Sequence, residues 1–396
     1  MPRTVAPDGR AAERKRLIQE IEDLRSSRVI TYVLSDRQGA AAQVADDAVR
    51  PLYDHLRAIG HSPRIDLLVY STGGFTDIPW RIVTMIREYT DDFGVLVPYR
   101  AMSAATMIAL GADEIVMGPK GELGPIDPQL GIQRGREGET PVQEQLAVED
   151  IMSYLRLLRD KVGLTDQAAI SGPVAVLAEK LDPWILGQAN RAHSHIRDVA
   201  RKLLTARRQG AALDEQRVSG IIEMLAEKVY QHGHAIGRKE ASSMGLNVVS
   251  AEDELESAMW RLLEEYEGLC ETRDPIDPWG AMGADVDQVR LPVVLGAIES
   301  GFGAHRFAAE VHLTRQRQIP PGLNVNFQLG LNLPAGFQAG LIPEETQQII
   351  QNLLAQVQQQ VPQLLQEELR RQVPTVGIQG RIQPDGWRPV EGWDSL

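Results

Sequence analysis

Two short runs carry the residue types from which carbonyl chemistry can be built. The first, Tyr70-Ser71-Thr72-Gly73-Gly74, directly follows the apolar stretch 65–70. Successive glycines let the backbone turn sharply and leave N–H groups open to a ligand, with no Cβ in the way. The second, Tyr99-Arg100-Ala101-Met102-Ser103-Ala104-Ala105-Thr106, follows the apolar stretch 95–98. A serine where a strand gives way to a helix has two readings. It can cap the helix by accepting an N–H of the first turn. Alternatively, with small residues on both sides, its Oγ can be approached by a substrate carbonyl while the helix N-terminus stabilises developing negative charge. The Gly-Gly run has a plain reading too, an ordinary strand-to-helix turn. Together the two runs offer a nucleophile beside N–H donors on one sheet edge, the arrangement that acyl transfer through a covalent intermediate requires.

The elements that must hold these runs alternate between two periodicities. Residues 13–25, 44–59, 76–90 and 103–111 have helical spacing, the second closed by Gly60. Between them lie the β-rich stretches 29–34, 65–70, 95–98 and 114–117. Short apolar strands alternating with helices predict βαβ units and a parallel sheet covered on both faces, with right-handed crossovers. Residues 119–142, rich in Gly, Pro and Gln, read as an extended loop. Helices are expected over 143–162, 165–180, 184–208 and 214–230, then a short helix 238–245, a strand 246–249 and a helix 251–268. Residues 274–278 read as a linker, and 291–300 with 305–314 as a hairpin across Gly301-Phe302-Gly303. Ile350, Leu354, Val357, Val361 and Leu364 have heptad-like spacing in a glutamine-rich segment that Pro362 interrupts. The expected segments are an N-terminal helix (1–27), an α/β domain (28–274), a linker with hairpin (275–317) and a C-terminal extension (318–396).

Composition narrows the classes. Lys and Arg total 41 against 54 Asp and Glu, a formal charge of −13. A globally basic protein held on nucleic acid by its phosphates is excluded, because a polyanion is repelled on average. The single cysteine, Cys270, excludes an intramolecular disulfide and a cysteine-rich zinc site. There is no GxxxxGK[ST] phosphate loop and no HExxH pair. His193 and His195 stand two apart, on different faces of a helix. Met102, Met107 and Trp184 read as packing residues. No metal and no cofactor is expected. The charged N-terminal run lacks a signal peptide's apolar core, and no stretch nears the ~18 apolar residues of a membrane span, so a cytoplasmic protein is expected.

Three runs in order resemble the ClpP and signal peptide peptidase group of serine peptidases: Ser71–Gly74, Met102–Pro119 and Gly121–Leu130. Within it the chain is most similar to the serine dehydrogenase proteinase branch, through Leu-Gly-Pro-Ile-Asp-Pro-Gln at 123–129. A later run, Ile236 to Val248, resembles the helix and strand that close such domains. The resemblance covers roughly residues 28–270, continues more weakly through 291–313, and does not reach past 318. It implies a ClpP/crotonase-type α/β fold of ββα superhelical units assembled as a homo-oligomer, with peptide-bond hydrolysis through a serine acyl-enzyme. It puts Ser103 on the nucleophile position, Gly74 and Ala104 on the two oxyanion-hole N–H positions, and Gly73 in the turn that shapes them. The base is less direct. The histidine position of the Clp peptidases corresponds to about Asp127, and their acidic position falls near Gly233. In order, the candidates are His232, Lys161 (by analogy with the lysine of the signal peptide peptidases) and His234. A histidine titrates near neutrality, whereas a lysine must be desolvated to be neutral at pH 7.

These readings converge on a serine peptidase acting on soluble or unfolded polypeptides, with no nucleic-acid partner, no membrane span and an unidentified unfoldase, if any. Two rivals stand beside it. A crotonase-like acyl-CoA hydratase or isomerase would use the same N–H pair with carboxylates such as Glu122 and Asp127. A non-catalytic oligomeric scaffold would have kept the fold with a degenerate site.

Overall fold

The computed structural model of the chain describes residues 5–134, 142–206, 213–228, 234–283, 286–317, 343–346, 348–353, 355–356 and 373–395. Of the expected heptad-like run, Leu354, Val357, Val361, Pro362 and Leu364 lie outside these residues, as does the uncharged stretch 318–342. Contacts group the chain into two compact units. The first comprises Met1–Pro275, Pro292–Ala309 and Pro384–Leu396; the second, Ile276–Leu291 and Glu310–Gln383.

The first unit opens with α1 (Ala11–Arg25), β1 (Arg28–Leu34) and two short paired strands, β2 (Asp36–Arg37) and β3 (Ala40–Ala41). Next come α2 (Val49–Ile59), β4 (Arg64–Tyr70), α3 (Ile78–Arg87), β5 (Asp92–Val97) and β6 (Arg100–Ala101). They are followed by α4 (Ala104–Leu110), β7 (Glu114–Met117) and β8 (Glu122–Leu123). The expected alternation is therefore present, and the class is α/β. Strands β1, β4 and β5 are buried at almost every position, which is why they read as continuous apolar runs rather than alternating ones.

The stretch read as a loop and a helix differs. Gln129–Arg134 forms β9, paired antiparallel with β10 (Val142–Ala147), and α5 (Val148–Arg156) starts only after it. Leu130, Ile132 and Leu146 share one face of this ribbon and pack with Val148, Ile151, Leu181 and Ala189. A π-helical turn (Leu157–Lys161), α6 (Gln167–Lys180), α7 (Pro183–Thr205) and α8 (Glu215–Glu223) follow, and Asp182 caps α7 through the Trp184 N–H. The series continues with β11 (Ile236–Gly237), α9 (Arg238–Ser243), β12 (Val248–Ser250), α10 (Asp253–Cys270) and α11 (Pro278–Ala281). Three long strands, β13 (Gln288–Ser300), β14 (Gly303–Arg317) and β15 (Thr375–Pro389), complete it.

The main sheet has the order β12-β7-β5-β4-β1-β13-β14-β15. Its first five strands pair in parallel, and β13 then pairs antiparallel with β1, Tyr32 opposite Ile298. A smaller sheet, β11-β8-β6, lies beside the strand ends. One face of the main sheet is covered by α1 and α10, through Leu17, Ile18 and Ile21 packed with Leu262, Leu263 and Tyr266. The N-terminal helix is therefore part of the same core. In the second unit, Asp287 holds Arg317 at 2.8 Å, and Gln316 donates to Gln379 at 3.0 Å.

Candidate active site

Strands β4 and β5 run side by side in parallel, Leu67 beside Val95 and Leu68 beside Leu96. Their carboxyl ends, where ligands gather in α/β sheets, deliver the two runs singled out above. Ser71 joins them. Its N–H donates to the Arg100 carbonyl at 2.9 Å, and its carbonyl accepts from Met102 N–H at 3.0 Å. The fully buried Ser71 Oγ accepts from Gly73 N–H at 3.0 Å.

Gly73 adopts φ +120°, and a Cβ there would lie 2.8 Å from the Cβ of Ser103 and 3.3 Å from its Oγ. Only glycine combines that dihedral with that close approach. Val44 anchors the far side of the loop, donating to the Gly73 carbonyl at 2.8 Å and accepting from Phe75 N–H at 2.9 Å. The pattern skips Gly74, whose N–H donates to no described group. Ala104 N–H, at the first residue of α4, is likewise unengaged among the described residues.

Ser103 has φ +51° and ψ −113°. The other non-glycine residues at positive φ, Ser26 and Glu271, sit in the ordinary left-handed region at helix ends; Ser103 does not. Such a backbone is held against its own preference by its surroundings. Its side chain makes no capping bond, so the cap reading fails. Thr106 helps hold the turn. Its buried Oγ1 lies 2.6 Å from the Ala101 carbonyl and accepts from Gly124 N–H at 2.9 Å, tying the segment before Asp127 to α4.

Half-buried Ser103 opens into a cavity of about 630 Å³ lined also by Gln43, Gly74, Phe75, Thr76, Asp127, Leu130, Gln145 and Ala192. The fold thus brings Ser103, Gly73, Gly74, Ala104 and Asp127 together. His232 and Gly233 lie outside the described residues. Lys161 is exposed at the end of the π-helical turn and does not line the cavity. His234, also absent from the lining, meets the Glu240 carboxylate at 3.1 Å. Glu122 is engaged by Lys120 at 2.8 Å, and this bond raises the lysine's pKa. Tyr70 is no ready base either: burial, then the Asp36 carboxylate its hydroxyl donates to at 2.7 Å, push its pKa upward. Among the described residues, no cluster of His, Cys, Asp or Glu forms a group able to hold a metal ion.

Sequence reasoning missed Ser71, Val44 and Thr106 as supports, and Gln43, Gln145 and Ala192 as cavity walls. Ser71 lay in view within Ser-Thr-Gly-Gly. The others carry no local signal, because only the fold brings them to Ser103.

Residues 4–151 match the family model described as ClpP-like SDH-type serine proteinase. The chain is similar to two uncharacterised proteins of Methanocaldococcus jannaschii. One is 32% identical over 183 residues, covering 39% of this chain and 61% of the relative's length. The other is 24% identical over 270 residues, covering 67% and 82%. Among solved structures, the 1510-N membrane-bound stomatin-specific protease matches with 17% identity and a TM-score of 0.31, over 57% of this chain and 82% of its own. The matched stretch, residues 4–151, holds both strand-end runs and Asp127.

Proposed function

We propose that the protein is a serine peptidase that hydrolyses peptide bonds of soluble or unfolded polypeptides through an acyl-enzyme on Ser103. The observation that carries this reading is Ser103 itself, held at positive φ with no capping bond and facing a cavity between two unengaged N–H groups. Its Oγ attacks the scissile carbonyl carbon, and the carbonyl π electrons move onto oxygen. The N–H groups of Gly74 and Ala104 hold that oxyanion; losing one such donor costs roughly 10²–10³ in rate. The C–N bond then breaks, the amine leaves with the proton taken from Ser103, and water hydrolyses the resulting ester.

His232 is the first choice for the proton carrier and Lys161 the second. Asp127, beside Ser103 in the cavity wall, is assigned to orienting the carrier. Among the described residues no helix is long and apolar enough to cross a membrane, which supports substrates met in solution.

A fluorophosphonate probe tests the reading. Wild type is expected to label at Ser103, Ser103→Ala not at all, and His232→Gln much more slowly than Lys161→Gln. Labelling that survives Ser103→Ala, or its absence from folded wild type, rejects the peptidase.

A further inference from the structure

Three glutamines from separate parts of the chain converge on the cavity at Ser103: Gln43, just ahead of α2, Gln129 of β9 and Gln145 of β10. All three are exposed, and none of their amides bonds to a described residue, so they are open to a ligand. Their placement follows from the alternation of extended backbone. Val44 is fully buried where it bonds the glycine loop, so its neighbour Gln43 turns the other way. On the ribbon, Gln145 stands opposite Gly131, and Ala147 opposite Gln129. Residues directly opposite in an antiparallel pair share a face, which makes Gln129 and Gln145 diagonal neighbours on one face. Gly131 puts no side chain beside Gln145, and a slot is left there.

The chemistry of this lining selects among side chains. An amide both donates and accepts hydrogen bonds, as does the hydroxyl of Thr76, which lines the same cavity. A carboxamide on the substrate matches both capacities. An aliphatic side chain would displace water from these groups without replacing its hydrogen bonds. Among the described lining residues Asp127 alone carries a charge. A carboxylate would meet it with the same sign. A cation would compete for Asp127 with the proton carrier it is assigned to orient. Phe75, Leu130 and Ala192 supply apolar surface for the methylenes that carry a carboxamide.

We propose that the cavity selects polypeptides with glutamine or asparagine at the residue contributing the scissile carbonyl. Gln145 reads the carboxamide from the ribbon, and Gln43 reads it from the side of the glycine loop. That residue's side chain lies next to the attacked carbon, and the cavity opens at Ser103 and Gly74. The inference rests on the peptidase reading of Ser103 and adds the substrate class to it.

Acetylated Ala-Ala-Xaa aminocoumarin peptides that differ only in the last residue test it on the full-length chain. Each rate is normalised to the fraction of protein that the fluorophosphonate labels at Ser103. The expected kcat/KM with glutamine or asparagine is at least about tenfold above that with leucine, lysine or glutamate. Gln145→Leu is expected to put leucine ahead of glutamine, and Gln145→Glu to put lysine ahead of it. Leucine, lysine or glutamate cleaved as fast as glutamine by wild type overturns the proposal. So does a Gln145→Leu variant that keeps the wild-type order. Should that variant fail to fold, Gln43→Leu decides by the same loss of glutamine preference. Wild type that labels at Ser103 but cleaves none of the peptides overturns this inference alone. Absence of labelling rejects the peptidase reading itself, and the inference with it.

Discussion

At Ser103 the backbone adopts a conformation that non-glycine residues rarely take. A non-glycine residue at φ +51° and ψ −113° stores strain of order 1–3 kcal/mol. Ser103→Gly is therefore expected to raise thermal stability by about 1 kcal/mol while abolishing labelling by the probe, so stability and function move in opposite directions. A drop in stability would mean that the turn is not strained. Ser71 carries the complementary expectation. Ser71→Ala leaves Gly73 N–H buried without its acceptor and loosens the loop bearing Gly74. On the proposed mechanism, in which these donors act on the oxyanion rather than the bound substrate, a fall in kcat of about 10- to 100-fold with KM nearly unchanged is expected. A change confined to KM would remove Ser71 from that role. The Ser-Thr-Gly-Gly and Met-Ser-Ala-Ala runs were legible in the sequence because each is local. Whether Ser103 caps a helix or faces a cavity was not, because that depends on one dihedral fixed by Ser71, Gly73 and Thr106 together.

Elements were legible where their period was unambiguous. The parallel strands β1, β4, β5 and β7 announce themselves as apolar runs between helices of clear spacing. The β9–β10 ribbon does not, since Val142 and Leu146 stand four apart and fit a helix face as well as a strand. Only the packing of Leu146 with Leu130 and Ile132 against α5 and α7 decides for the strand. This ribbon forms one wall of the cavity, through Leu130 and Gln145, so the misread segment is also the one that shapes the site. The opposite wall depends on the seam between Val44 and the glycine loop. A Cβ at Gly74 would overlap the backbone N and O of Val44, neither of which can step aside as a flexible side chain would. Gly74→Ala is thus expected to push residues 72–75 away from Val44 and abolish labelling. Far-ultraviolet circular dichroism should stay close to wild type, since no long element crosses the seam. Retained labelling at the wild-type rate would show that the loop tolerates displacement and that Gly74 N–H is not placed by Val44.

On the scale of the whole molecule, the first unit buries several ionisable groups whose protonation is coupled to folding. Arg14 and Glu299, fully buried at 3.1 Å, join Asp8 and Arg306 in one paired cluster, so the excess of acidic residues is not what threatens the core. The liability is the buried His55. Its Nδ1 lies 2.8 Å from Ser300 Oγ and its Nε2 3.1 Å from His305 Nδ1. Burial first, and then His305, push its pKa down from 6.5 to about 3; burial lowers His305 as well. A group whose folded pKa is depressed contributes stability that is present above the unfolded value and is lost as pH falls towards the folded one. Below about pH 6.5, His55 is therefore expected to cost about 1.4 kcal/mol per pH unit. Asp8, lowered by its pairing with Arg14 in spite of burial, adds the same sign of loss only below the ordinary carboxylate range. Glu22, Asp47 and Asp92, raised chiefly by burial, oppose it in the lower part of the window. The comparison that isolates His55 is His55→Gln, which keeps a polar group near Ser300 but cannot titrate. Denaturant melts between pH 7 and pH 4.5 should show wild type losing stability more steeply than the variant, with the gap widening as pH falls. Parallel curves would mean that the His55–His305 pair is not what ties this fold to neutral pH.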